Sequence, residues 1–213
     1  MDPTVDNMLK VTGDGRKVAL DVRLLDPESA TDDIEPGGKI EACAENVKRI
    51  WRDTAEQRGA QLVFCDTSTP ASGKWNIYDD LKRRLVDLGI PATQIAFVHD
   101  AGDKPERKEA LFARVREGDV RVLIGSTEKM GTGTNVQDRL AATHDLDCPW
   151  RPADLEQRQG RIVRQGNRFD HVDVFRYVCV GTFDSYLYQL VEGKQRFVSQ
   201  VFSADAGARE VGD

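Results

Sequence analysis

Apolar and polar positions recur along the chain with two different periods, and these periods predict an alternation of strands and helices. Short apolar runs rich in strand-forming residues predict strands at residues 61–66, 94–99, 120–124, 144–147 and 172–178. Helical spacing of apolar residues predicts helices at residues 39–58, 77–88 and 105–117 and after residue 182. This order predicts an α/β fold with a doubly wound, mainly parallel sheet and helices on both faces. Ligands are expected at the carboxyl ends of the strands.

The two ends of the chain have weaker patterns than its middle. Residues 1–38 are interpreted as a leading segment, in which residues 17–25 partly alternate and predict one possible strand before an acidic loop. Residues 39–202 are predicted to form the domain itself. Residues 203–213 are small and polar, so we expect a flexible tail.

Composition excludes several classes of protein. The chain has 213 residues, of which 39% are hydrophobic and 31% are charged, and this composition is typical of a soluble globular protein. No apolar run approaches the roughly 18 to 20 residues of a membrane span, and no signal peptide opens the chain, so we expect a cytoplasmic location without a membrane partner. Four cysteines and three histidines are scattered without the spacing of metal ligands, and no metal site is predicted.

The net charge of −6 argues against a surface coated for nucleic acid, but the charge is unevenly distributed. Residues 151–168 contain five arginines against two acids. Within this segment, helical spacing would place Gln157, Arg161 and Arg164 on one stripe. Two guanidinium groups on one stripe suit contacts with phosphate oxygens, although a solvated helix face is the simpler alternative. Glycines at 160 and 166 are expected inside this helix and at its end, respectively.

Two further blocks precede the arginine helix. Residues 125–137 read Gly-Ser-Thr-Glu-Lys-Met-Gly-Thr-Gly-Thr-Asn-Val-Gln, and residues 147–154 read Asp-Cys-Pro-Trp-Arg-Pro-Ala-Asp. In their order and spacing, the three blocks resemble motif V, the tryptophan-asparagine-proline element and motif VI of superfamily-two helicases and translocases, most closely the Swi/Snf-like branch. The resemblance covers roughly residues 61–200 and implies the second RecA-like lobe of such a motor. The amino-acid sequences of the first two blocks also resemble those found in DNA methylase and helicase fusion proteins of phages and conjugative elements.

The resemblance implies roles for individual side chains. Arg161 and Arg164 would be arginine fingers with Gln157 as a polar partner, and Trp150 would couple the nucleotide state to DNA contact. In the glycine-rich block, nucleotide contacts would come from Gly131, Gly133 and Asn135. Contacts with the DNA backbone would come from Ser126 and Thr127 and, on weaker similarity to motif IV and the block after it, from Thr67, Ser68, His99 and Arg107.

The sequence lacks the parts that grip a nucleotide. A Walker A loop needs Gly-Lys followed by Ser or Thr, whereas Lys39 is followed by Ile40 and Lys74 by Trp75. We therefore expect ATP with Mg²⁺ to be held mainly by a first RecA-like lobe, in the same parent polypeptide or in a separate protein, with DNA, most simply duplex DNA, as the other partner. Two alternatives stay open: a module that binds nucleic acid or protein without turnover, and a small-molecule enzyme with His99 as its base.

Overall fold

A five-stranded, all-parallel sheet flanked by helices forms the body of the protein, in a computed structural model that describes residues 7–26, 38–71, 73–131, 135–160 and 166–209. The strands are β1 (Ala60–Phe64), β2 (Ile95–Phe97), β3 (Val122–Gly125), β4 (Leu140–Asp145) and β5 (Asp173–Arg176). The helices are α1 (Met8–Leu20), α2 (Lys39–Asp53), α3 (Ile77–Asp87), α4 (Pro105–Glu117), α5 (Thr127–Gly131), α6 (Pro152–Gln159) and α7 (Phe183–Arg209). The predicted α/β class is confirmed, and all five predicted strands are present.

The strand order β2-β3-β1-β4-β5 places β1 at the centre of the sheet. Alternate residues of β1 feed two separate cores because successive side chains of a strand point to opposite faces. Val63 packs with apolar residues of α2 and α3, whereas Leu62 and Phe64 pack with apolar residues of α4. A sheet covered on both faces in this way has its free polar groups at the strand ends, where a ligand can reach them.

The strand predicted within residues 17–25 is wrong. Residues 8–20 form α1, and Asn7 is its N-cap. The Asn7 side chain accepts a hydrogen bond from the Lys10 amide at 2.8 Å. Ala19 and Leu20 are both buried although they are neighbours, which an alternating strand would not allow. The partial alternation thus came from the last turn of a helix.

Two other boundaries differ from the prediction. Helix α2 ends at Asp53, five residues before Arg58, because the Thr54 hydroxyl donates to the Ile50 carbonyl at 2.7 Å and itself accepts from Arg121 at 3.0 Å. Helix α7 continues to Arg209, past the point at residue 203 where a flexible tail was predicted.

Among the described residues, no helix has both the length and the apolar character that crossing a membrane requires.

A buried polar column crosses the sheet at His144 on β4. The Tyr177 hydroxyl lies 2.9 Å from Nδ1 of His144, and Oε1 of Gln61 lies 3.0 Å from Nε2. A carbonyl oxygen can only accept, so Nε2 carries the proton and Nδ1 accepts from the tyrosine hydroxyl. Burial, aided by the charge of Arg49, lowers the pKa of His144 to about 3, and the imidazole is neutral in the folded protein.

This column predicts a loss of stability in mild acid. Below pH 6.5 the unfolded chain binds a proton at His144, whereas the folded chain binds it only near pH 3. The free energy of unfolding therefore decreases as the pH is lowered from 6.5 towards 3. From pH 7 to pH 5 the loss is expected to be on the order of 2 kcal/mol. His144→Gln should remove most of this pH dependence in urea unfolding, whereas His171→Gln, at an exposed histidine, should keep it. An unchanged pH slope in His144→Gln would contradict the assignment.

Candidate nucleic-acid interface

A polar cleft lies at the carboxyl ends of β1, β2 and β3, where parallel sheets of this kind bind their ligands. We call it the carboxyl-end cleft, and its volume is about 580 Å³. Four residues that the sequence singles out line it together although they are far apart along the chain: His99, Ser126, Thr127 and Gln157. The structure thus brings these four residues together at the strand ends, and their roles in binding stay predictions.

The cleft is held together by Arg158, which the sequence analysis did not single out. Its side chain, on α6, is only 2% exposed. The five N–H groups of a guanidinium all find acceptors here: Thr127 Oγ1 at 2.8 Å, Asp145 Oδ1 at 3.1 Å, the Asp147 carbonyl at 2.8 Å, Asp147 Oδ1 at 3.2 Å and Asp66 Oδ2 at 2.8 Å. We refer to Arg158 with Asp66, Asp145 and Asp147 as the Arg158 cluster.

The carboxylates of the Arg158 cluster also bind the loops around them. Asp66 accepts from the Thr127 amide at 2.6 Å and from its hydroxyl at 2.8 Å. Asp147 accepts from the amides of Asp66 and Thr67 at 2.8 and 2.6 Å. The loops after β1, β3 and β4 are thus joined to α6, and the cleft is a fixed arrangement of backbone and side chains.

Burial sets the charge states in the Arg158 cluster. Desolvation alone would lower the pKa of Arg158, but the carboxylates of Asp145, Asp147 and Asp66 outweigh it and raise the pKa, so the guanidinium stays charged. Desolvation raises the pKa of Asp145, and Arg158 offsets this only in part. Asp145 therefore depends on the neighbouring arginine for its charge.

Two buried polar atoms near the cleft have no hydrogen-bond partner among the described residues: Nδ1 of His99 and Oγ1 of Thr67. Burial, followed by the charge of Lys129, lowers the pKa of His99, which favours the neutral ring. A neutral imidazole offers one donor and one acceptor, and a hydroxyl offers both. Buried polar atoms without partners are uncommon, and a bound ligand is one of the ordinary ways to satisfy them.

Other residues predicted to contact the DNA backbone or the nucleotide do not line the cleft. The Ser68 hydroxyl is buried and accepts from the Ile77 amide at 3.0 Å, so it supports the start of α3. Arg107 lines a separate groove between β2 and α4 and is not brought together with His99. Asn135 is exposed, and its carbonyl accepts from Arg116 at 3.0 Å. Gly131 ends the short helix α5.

Trp150 is 48% exposed and packs against the N-terminal helix. The guanidinium carbon of Arg16, on α1, lies 4.8 Å from the indole centroid. The Phe183 ring packs edge-on against the indole, with 6.5 Å between the two ring centroids. Arg16 also donates to the Cys148 carbonyl at 2.8 Å, which fixes the loop that leads into α6. The sequence did not predict that the first helix would hold this loop.

The predicted arginine helix is only partly within the described residues. Helix α6 ends at Gln159, and Gly160 stands at its C-cap, where its amide donates to the Glu156 carbonyl at 2.7 Å. The expectation that Gly160 lies inside the helix is thus wrong. Arg161, Arg164 and Gly133 lie outside the described residues, and their predicted roles stay predictions.

The two basic side chains that line the cleft are both paired with acids of the same chain. Nζ of Lys129 lies 2.5 Å from Oδ1 of Asp103, which lies beyond β2. The Arg151 guanidinium binds both carboxylate oxygens of Asp154, one helical turn away, at 3.0 and 3.1 Å. The hydrogen bond with Asp103 raises the pKa of Lys129 and lowers that of Asp103, so both members of this pair are charged near neutral pH.

Comparison with known proteins agrees with this architecture. The solved C-terminal part of the Fun30 ATPase domain has the same fold, with a TM-score of 0.57 at 19% identity over 81% of this chain and 53% of that one. The protein is thus an α/β lobe of the RecA-like kind found in helicases. Residues 38–166, more than half of the chain, match the family described as helicase conserved C-terminal domain, and the chain belongs to that family.

Two curated relatives are much longer than the matched regions. Defense against restriction protein B of Escherichia phage P1 is 30% identical over 105 residues, which are 49% of this chain and 5% of that protein. The uncharacterized ATP-dependent helicase YqhH of Bacillus subtilis (strain 168) is 27% identical over 159 residues, which are 73% of this chain and 27% of that protein. This chain therefore spans only a small part of either relative.

The described residues do not by themselves fit ATP with Mg²⁺. Among the described residues, no group of acids, cysteines or histidines is arranged to hold a metal ion. Asp66, Asp145 and Asp147 lie close together, but the Arg158 guanidinium occupies the space between them and uses their oxygens as hydrogen-bond acceptors. These aspartates are therefore committed to the structure of the lobe.

Proposed function

We propose that this chain is the second motor lobe of an ATP-dependent DNA helicase or translocase of the Swi/Snf-like branch. In this role it supplies arginine fingers and contacts to the DNA backbone, and it does not hydrolyse ATP alone. The observation that carries the proposal is the convergence of Ser126, Thr127, His99 and Gln157 in one cleft at the strand ends. Membership of the helicase C-terminal domain family supports it.

The division of labour follows from what each part of the chain offers. Ser126 and His99 present a hydroxyl and an imidazole group in the carboxyl-end cleft, where they can donate to phosphate oxygens. Thr127 is proposed as a further backbone contact, and its amide and hydroxyl donate to Asp66 in this structure. Thr67, Ser68 and Arg107 are proposed as further backbone contacts. Gly131, Gly133 and Asn135 are proposed to face the nucleotide, and Trp150 is proposed to couple the two.

A partner lobe is needed for the proposed chemistry. Arg161 and Arg164, with Gln157 beside them, would stabilise charge on the transferred phosphoryl group, while ATP and Mg²⁺ would be held mainly by a first RecA-like lobe. The share of YqhH that this chain covers, 27%, leaves ample room for such a lobe in a parent of similar size. The 5% share of the phage protein leaves room for further domains in a parent of similar size, and we propose a methylase as one of them.

Binding of DNA by the chain itself tests the proposal. Binding of a labelled duplex, followed by fluorescence anisotropy, is expected to weaken as salt rises because phosphate contacts release counterions. Removing the buried donor with His99→Ala should weaken binding by roughly two- to tenfold, the worth of one hydrogen bond. His171→Ala, at an exposed histidine, is the matched control and should bind as the wild type does. Absence of salt-dependent binding would refute the proposed DNA contacts.

A further inference from the structure

The ion pair between Lys129 and Asp103 joins two segments that are distant in sequence at the rim of the carboxyl-end cleft. Lys129 lines the cleft from α5, whereas Asp103 comes from the turn between β2 and α4. Gly102, with φ of +62°, lets the chain turn immediately before Asp103. The side chain of Asp103 is 85% exposed, so the acid reaches the lysine from the solvent side.

This ion pair differs from the other one in the cleft. Arg151 and Asp154 are three residues apart, and Asp154 lies in the first turn of α6, where an acid is favourable for the helix itself. Asp103 instead pairs across two elements, since it lies just before the N-cap Lys104 of α4 whereas Lys129 lies on α5, and an exposed ion pair adds little to stability. Its carboxylate can therefore be exchanged for another anion at small cost.

The surroundings of Lys129 favour a phosphate as that anion. His99 lines the same cleft, and its buried Nδ1 has no partner among the described residues. The positive charge of Lys129 contributes to the lowered pKa of His99, so the two side chains interact electrostatically. Thr127 and Ser126 line it from the same segment as Lys129. A phosphodiester bound there would meet one full positive charge with hydrogen-bonding groups beside it, which is the usual composition of a DNA-backbone contact.

We propose that Lys129 is a phosphate-contact residue of the carboxyl-end cleft, and that Asp103 occupies its ammonium group until a backbone phosphate of DNA displaces it. This inference rests on the proposed function. Asp103 then acts as an internal competitor, which lowers the affinity for DNA and makes release of the strand easier. Glu128 also acts on Lys129 through its charge but is not hydrogen-bonded to it, which leaves Asp103 as the direct competitor among the described residues.

The test compares five forms of the chain, the wild type and four variants, by fluorescence anisotropy with a labelled DNA duplex over a range of salt. Asp103→Asn should bind about two- to fivefold more tightly than the wild type, the worth of one exposed ion pair. Lys129→Gln should bind more weakly and reduce the slope of log K against log salt by roughly 0.9. In the double variant the gain from Asp103→Asn should disappear. Asp119→Asn is the matched control, because Asp119 is an exposed acid paired with Arg58 at 2.9 Å.

The outcomes separate this inference from the proposed function. If the wild type binds DNA and His99→Ala weakens binding, but Asp103→Asn behaves like Asp119→Asn, the competitor role is overturned and the proposed function stands. If Asp103→Asn strengthens binding equally with and without Lys129, the effect is general charge removal and the role of Lys129 is overturned. If the wild type shows no salt-dependent binding, both fall together.

Discussion

Replacing Arg158 with methionine is expected to lower the free energy of unfolding by about 3–5 kcal/mol, because it leaves the buried carboxylates of Asp145 and Asp147 without their cation. Methionine has a similar length and no charge, so the result isolates the guanidinium. Urea unfolding of the variant measures the loss. Arg158→Lys keeps the charge but has three donors in place of five, and an intermediate loss is expected.

The loss in Arg158→Met should depend on pH in a defined direction. Desolvation already raises the pKa of Asp145, and removal of the arginine would raise this pKa further. A raised pKa means that the folded state prefers the protonated carboxyl, so the penalty is present above the ordinary value of 3.8 and disappears as the pH falls towards it. The stability gap between variant and wild type should therefore be smaller at pH 5 than at pH 7.

The control for this series is Arg52→Met. Arg52 is 70% exposed and pairs with its neighbour Asp53, so its replacement should change stability by less than about 0.5 kcal/mol. If Arg158→Met were no more destabilising than Arg52→Met, the Arg158 cluster would not be holding the cleft together.

The second large effect rests on the proposed function and concerns ATP turnover by a motor that has both RecA-like lobes. In such a protein, Arg161→Ala is expected to reduce ATP turnover by about three to five orders of magnitude, the usual contribution of an arginine finger. The physical reason is that a guanidinium placed at the transferred phosphoryl group stabilises the charge that develops there. Steady-state hydrolysis in the presence of DNA measures the effect.

Arg168→Ala is the matched control for the finger. Arg168 follows the same segment and is exposed, and its backbone amide donates to the Asp138 carbonyl at 3.0 Å. Its turnover should stay near that of the wild type, and both variants should keep their affinity for DNA if Arg161 acts on the nucleotide. Near-wild-type ATP turnover in Arg161→Ala would refute the proposal that Arg161 is an arginine finger.

The parts of the fold that were predictable are those with strong local signals. Helix α4 was predicted at residues 105–117, and the structure has the same bounds because Pro105 suits the first turn and Gly118 adopts φ of +82° at the C-cap. The central strands were predictable since β-branched and aromatic residues are concentrated there. Leu140 and the two alanines after it carry no such signal, and the start of β4 was missed.

The candidate site was predictable in outline but not in its internal connections. Local motifs picked out Ser126, Thr127 and Gln157, because each block carries its own pattern of glycine, hydroxyl or arginine. The role of Arg158 depends on Asp66 and Asp145, which a strand order not fixed by local sequence brings together. For the same reason His99 and Arg107, close in sequence, could not be assigned to different grooves beforehand.

The position of α1 bears on where the independently stable unit begins. The family match starts at residue 38, yet α1 lies against α7, with Gly15 close to the Phe183 ring and Arg16 on the carbonyl of Cys148. A protein shortened to begin at Gly38 would expose that aromatic surface and free the loop before α6. The start of the family match thus leaves out a helix that packs on the lobe, and we expect the cooperative unit of folding to extend into α1 at least as far as Gly15.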